Sequence, residues 1–268
     1  KEGVLATDEG VCHFLLTPQG WDQLEAIGKF SKLHLNHPAR LSLRVRPTRV
    51  MLESGWLSQI RSEGTFHADQ LVFMDVHGTL SYIDQIDLPW KIEAPDNQIT
   101  ATLKSGLKIE KKAKAAPLFA TLKLDNWLMD NQTVFEQAKF EFTTELRSLA
   151  TPFFAVWLNM EDPTPLIGPL VDLDLKTSLD LSRQNPGYWD MHLDSALLHL
   201  KARIKVGDHI TLYQSNKPTA EVRWTMTPEG YHYLENLKGR APAAFSSHLA
   251  KPVVFTAYLS MLDLPLKT

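Results

Sequence analysis

Across most of its length the chain alternates apolar and polar residues one by one. Leu41, Leu43 and Val45 alternate with Ser42, Arg44 and Arg46, and Ile99, Ala101 and Leu103 with Thr100, Thr102 and Lys104. Leu118, Ala120, Leu122 and Leu124 do the same, as do Val171, Leu173 and Leu175 between Asp172, Asp174 and Lys176. Trp189, Met191 and Leu193 follow, then Leu198, Leu200, Ala202, Ile204 and Val206 between His199, Lys201, Arg203 and Lys205. Successive side chains of a strand point to opposite sides, so each stretch is a strand with one apolar and one wet face. Ala94-Pro95-Asp96-Asn97, Lys104-Ser105-Gly106, Asn185-Pro186-Gly187 and Gly207-Asp208 read as turns between them. The pattern predicts a mainly β fold: a long antiparallel curled sheet, either a groove or a half-open sandwich, with a few short helices. Arg147 to Met160 is apolar without alternation and is broken by Pro152, which reads as a short helix or buried crossover. Glu161 to Pro165 reads as a rigid turn, and Lys108 to Lys114 as a basic hairpin loop.

A second feature is internal similarity. Thr17-Pro18-Gln19-Gly20-Trp21-Asp22-Gln23-Leu24 returns as Thr227-Pro228-Glu229-Gly230-Tyr231-His232-Tyr233-Leu234. Ile27 falls opposite Leu237 and, after a four-residue length difference, Pro38 to Leu43 falls opposite Pro252 to Ala257. Thr is a good N-cap, and Pro at the first helical position lacks only an N–H that the helix does not use. The unit therefore reads as strand, helix, strand, with Trp21, Leu24 and Ile27 packing as Tyr231, Leu234 and Leu237 do. Its copies begin near residues 12–52 and 222–266. No low-complexity linker divides the chain, so 1–268 reads as one continuous β-rich fragment of a larger repeat protein.

Composition narrows the function. The formal net charge is -3, so no global basic field draws nucleic acid. The single cysteine, Cys12, excludes an internal disulfide and a multi-cysteine zinc site. No apolar run approaches the roughly 18 residues of a spanning helix. The sequence has no Gly-x-Ser-x-Gly elbow, phosphate-binding glycine loop or His-Glu-x-x-His pair. Asp172 and Asp174 share a strand face, but Lys176 follows them and a solvated ladder is the expected role. His34 and His37 sit in a loop with no obvious carboxylate partner. No catalytic residue, metal site or cofactor is expected, and the chain does not read as an enzyme. Trp56, Trp90, Trp127, Trp157 and Trp189 read as core or groove lining.

A sheet with one apolar face must cover it. The helices in this sequence are too short to do so, and an uncovered apolar trough suits apolar contents. Strand-rich segments punctuated by strand–helix–strand units, with little cysteine, resemble the AsmA-like superfamily. That superfamily includes the bacterial translocation and assembly module proteins and, more distantly, the eukaryotic bridge-like lipid transfer proteins. The resemblance implies a β-groove that carries phospholipid or another acyl lipid between membranes. It also implies a periplasmic, cell-envelope setting and a membrane-anchored parent, with membrane or envelope proteins met through parts outside this chain. The expected groove lining is Leu41, Leu43, Val45, Ile99, Leu103, Leu173, Leu175, Met191, Leu193, Leu200 and Ile204. Arg40, Arg44 and Arg46 are candidates for head-group contact. The alternative is a structural or interaction β-sandwich module of a large envelope scaffold, with its apolar faces buried.

Overall fold

A computed structural model of the chain describes residues 3–6, 8–28, 33–53, 56–75, 78–94, 98–111, 113–129, 132–133, 138–158, 160–180, 187–206, 209–212, 220–238, 249–259 and 263–265. Nearly all strands belong to one open antiparallel sheet that does not close into a barrel. Its spine follows hydrogen-bonded neighbours from β2 (Gly10–Leu16) to β4 (Ala39–Val45), β6 (Trp56–Ala68), β9 (Ile86–Ala94), β10 (Gln98–Lys108) and β11 (Ala116–Asp125). It continues through β14 (Lys139–Ala150), β15 (Leu170–Asp180), β16 (Gly187–Ser195), β17 (Leu198–Val206), β19 (Ala220–Met226) and β20 (Val253–Leu259). Shorter strands flank it. β1 (Gly3–Ala6) and β5 (Arg49–Glu53) extend the sheet beside β6, and β18 (His209–Leu212) and β21 (Asp263–Pro265) extend it beside β17. A separate small hairpin pairs β12 (Leu128–Met129) with β13 (Gln132–Thr133).

At one margin the sheet turns a corner. β3 (His34–Leu35), β7 (Leu71–Met74) and β8 (Leu80–Ile83) continue β4, β6 and β9 beyond breaks at Asn36-His37-Pro38, Asp69-Gln70 and Asp84-Gln85. β8 then rejoins the far end of β10 through Leu107↔Ile83. Asp84 holds this corner. It accepts from Gln70 Nε2 at 2.6 Å and pairs with Lys108 Nζ at 2.9 Å, while its own N–H donates to the Gly106 carbonyl at 2.7 Å. Gly106 therefore lies inside β10, and the expected turn at Lys104-Ser105-Gly106 is replaced by continuous strand. Residues 95–97, 181–186 and 207–208, where other turns were expected, lie outside the described residues.

Among the described residues, four helices gather along this same margin. α1 (Pro18–Gly28) and α2 (Pro152–Leu158) pack with the corner strands in a core of Leu33, Leu35, Ala39, Leu71, Phe73 and Val156. Trp21 tilts onto Phe73 at 4.8 Å between centroids, and Trp157 meets Phe73 edge-on at 5.4 Å. Phe153 of α2 joins Leu107, Ala116, Leu146 and Leu149 in a second cluster. α3 (Thr164–Ile167) sits beside α4 (Pro228–Lys238) and receives the Trp224 indole N–H at the Leu166 carbonyl, 2.8 Å away. Arg147 to Ala150, read from sequence as part of a helix or crossover, is the end of β14. The helix begins only at Pro152.

The two similar segments adopt matching geometry. Thr17 Oγ1 accepts the Gly20 N–H at 3.1 Å, and Thr227 Oγ1 accepts the Gly230 N–H at 3.0 Å. Trp21 and Tyr231 each close the first turn on the capping carbonyl at 2.9 Å. β2 pairs with β4 from Leu16↔Ala39 to Gly10↔Val45, and β19 pairs with β20 from Met226↔Val253 to Ala220↔Leu259. The two ladders have the same length and register. Trp21 and Tyr231 are part-buried, but Leu24 is 50% exposed and does not pack as expected. The side chains of Ile27 and Leu237 lie outside the described residues.

Candidate functional site: an apolar sheet face

Direct cross-strand partners share a face, so register traces one side of the sheet from strand to strand. One row runs Gly10, Val45, Gly64, Trp90, Ala101, Leu122, Phe142, Thr177, Trp189, Ile204, Leu212. A parallel row runs Leu118, Leu146, Leu173, Leu193, Leu200, Val222, Ala257. With period two along each strand, Leu41, Leu43, Val45, Ile99, Leu103, Leu173, Leu175, Met191, Leu193, Leu200 and Ile204 all lie on this one face. Gly64 makes room for the Trp90 ring, because a Cβ there would stand 2.6 Å from it.

Burial across the face is graded. Under the helices and corner strands, Leu146, Leu149 and Val171 are 5%, 1% and 1% exposed. Away from that margin the expected lining residues are all part-buried, and Trp189 is 44% exposed. Neighbouring side chains shield one another there, but among the described residues no second layer lies over them. The arrangement is a β-surface roofed along one margin and open beyond it.

The opposite face is an ionic ladder. One row reads Glu145, Asp174, His192, Lys201, Glu221, polar in every strand, with acids flanking His192 and Lys201. Arg203 donates twice to Asp190, at 2.9 and 2.6 Å. Asp172 and Asp174 both lie on this face, as expected, but their partners come from β14 rather than from Lys176. Asp174 takes the Arg147 guanidinium, a hydrogen bond that raises the arginine's pKa further, and Asp172 accepts the Ser148 N–H at 2.6 Å. His192 lies 3.8 Å from Asp174 and His199 lies 3.3 Å from Asp194, on open sheet with 42% and 35% exposure. Among the described residues, no group of three or more His, Cys, Asp or Glu side chains could hold a metal ion. The depression of about 390 Å³ beside Asp194, His199, Glu221 and Arg223 also belongs to this polar side.

The arginines expected to meet head groups lie on the polar face as well. Arg40 and Arg44 point away from Leu41 and Leu43 because they alternate with them. Arg44 is paired with Glu9, and Arg46 with Glu63 at 2.9 Å, a contact that lowers the Glu63 pKa and raises that of Arg46. Arg44 and Arg46 thus balance acids of the polar face, on the side of the sheet away from the apolar lining. His34 is likewise satisfied: its Nδ1 lies 3.2 Å from Asp22 Oδ1, a carboxylate brought from α1 that the local sequence did not reveal. Of the tryptophans, Trp127 is 6% exposed, Trp157 packs against Phe73 and Phe153, and Trp90 and Trp189 sit on the apolar face. The Trp56 side chain lies outside the described residues.

Comparison with protein-family models, curated proteins and solved structures finds no match to this chain.

Proposed function

We propose that the chain is a non-enzymatic lipid-binding segment, and that acyl chains of a phospholipid or similar lipid lie along the open part of the apolar face. One observation carries the reading: a largely apolar sheet face that runs from β2 to β17 and is roofed at one margin only. Water cannot cover such a strip cheaply, and each CH₂ of a seated acyl chain contributes about 0.8 kcal/mol. Selectivity for a head group is not needed for that binding. The polar face supports the reading by its charge ladder, which suits solvent rather than a buried second sheet. The cell-envelope setting and the membrane-anchored parent rest on the resemblance to AsmA-like proteins and belong to the same proposal.

The test is organic extraction and native mass spectrometry of the purified protein, beside Leu175→Lys, Leu193→Lys and Leu200→Lys. We expect acyl lipid with the wild type and its loss in the variants, with β-sheet circular dichroism retained, because an open face lets a lysine reach water. Unfolded variants together with a lipid-free wild type would mean a closed core, and the scaffold reading would replace this one.

A further inference from the structure

We propose that the outer edge of β20 is a docking site for a single antiparallel strand of another polypeptide segment. The groove-side residues of that strand run small, aromatic, small. The chain contains its own template. β20 stands to β19 as β4 stands to β2, with every residue of β20 placed 214 positions after its counterpart in β4. In the first unit, the edge of β4 is filled by β6 through Val45↔Gly64, Leu43↔Phe66 and Leu41↔Ala68. In the second unit, β20 pairs only with β19 among the described residues. The counterparts on β20 are Leu259, Ala257 and Phe255. The small Ala257 leaves room for an aromatic partner, and the large Leu259 and Phe255 call for small ones.

Exposure follows this difference. Leu41, Leu43 and Val45, which face the β6 partners, are part-buried. Val254, Phe255, Tyr258 and Leu259 are 52%, 52%, 60% and 47% exposed. Natural sheets blunt open edges with charge, proline or bulges, because bare N–H and C=O groups recruit other strands. Val253 to Leu259 has none of these: it is uncharged and has no proline. An edge of this kind is built to be paired. A strand seated there would carry the apolar face onward, since Phe255, Ala257 and Leu259 share it with Trp224, Val222 and Ala220. The inference concerns the edge and stands whether or not the face carries lipid.

The probe is a capped synthetic peptide with the β6 sequence Arg61 to Ala68, added to the whole protein and followed by hydrogen–deuterium exchange. Amides of residues 253–259 are expected to slow at least about tenfold at saturating peptide, with other segments unchanged. A peptide with Phe66→Lys should lose the effect, as should the protein variant Ala257→Trp, which fills the aromatic's place. β-sheet circular dichroism of that variant must match wild type, and Thr256→Ser serves as a second variant that keeps binding. No protection at millimolar peptide overturns the proposal. So does protection elsewhere than β20, or self-association of the protein through β20 in place of peptide binding.

Discussion

Gly20 and Gly230 hold the same position in the first turn of matched helices, but the space above them differs. A Cβ at Gly20 would touch only the Thr17 hydroxyl, at 3.3 Å, and the Leu16 side chain. A Cβ at Gly230 would stand 2.6 Å from the backbone carbonyl of Pro165. Alanine is the better helix former by about 1 kcal/mol, so Gly20→Ala should be neutral or slightly stabilising in urea denaturation. Gly230→Ala must instead push α3 off α4, and should cost about 1–3 kcal/mol as overpacking does. A second residue-level expectation concerns His67. Its hydrogen bond to Asp87 at 2.7 Å raises its pKa above 6.5, burial opposes the shift, and Asp69 adds to it. A raised pKa in the folded state means that the stabilisation is complete below the unfolded value and is lost as pH rises through the folded value. The urea midpoint should therefore fall as pH rises from the ordinary histidine value through the raised folded one, and Asp87→Asn should flatten that fall. The motif threonines, their helices and the shared face were legible in sequence because each depends on neighbours a few positions away. The partner of His34 was not, because Asp22 reaches it only through the fold.

At the scale of the element, β14 shows why alternation fails where it does. Leu146 faces Leu173 and Leu149 faces Val171, so Arg147 and Ser148 together oppose Asp172. This is a β-bulge, and it keeps two leucines three positions apart on the same apolar face. A strict period of two would send Leu149 to the charged side, and a sequence reading therefore loses the strand at Arg147. Ser148 takes the left-handed conformation, with φ 53, that the bulge requires. Asp172 and Asp174 clamp the pair by holding the Ser148 N–H and the Arg147 guanidinium. The two aspartates, expected from sequence to form a solvated ladder with Lys176, are thus a clip on the sheet. Ser148→Gly should stabilise by about 1 kcal/mol, since glycine enters that region without strain. Asp172→Ala should cost about 1–2 kcal/mol by leaving the amide without its acceptor. Guanidinium denaturation of both variants checks the pair, and the opposite signs separate the clip from a mere surface charge. The corner at Asp84 was invisible for a related reason: β10 runs straight through Gly106, and only the partners from β7 and β8 mark the bend.

At the scale of the molecule, the open face has a measurable consequence for unfolding. A compact monomer of 30.3 kDa exposes about 11,800 Å², and its unfolded chain about 43,900 Å². This protein exposes 17448 Å² when folded. Half as much surface again is already in contact with water, as befits a broad sheet whose strands stack side by side at about 4.8 Å over one margin of helices. Less surface is left to expose on unfolding, by about a fifth relative to a compact chain. The denaturant slope m follows that area, so it should be about a fifth below the value for compact proteins of this length. The heat-capacity change should shrink with it, because it too follows the area exposed on unfolding. Saturating the face with an acyl lipid should then raise both quantities toward the compact values, because the liganded state hides the strip that the free state leaves wet. Urea titrations of extracted and lipid-loaded protein supply the comparison. Equal slopes at the compact value in both would mean that the face is already covered in the free protein.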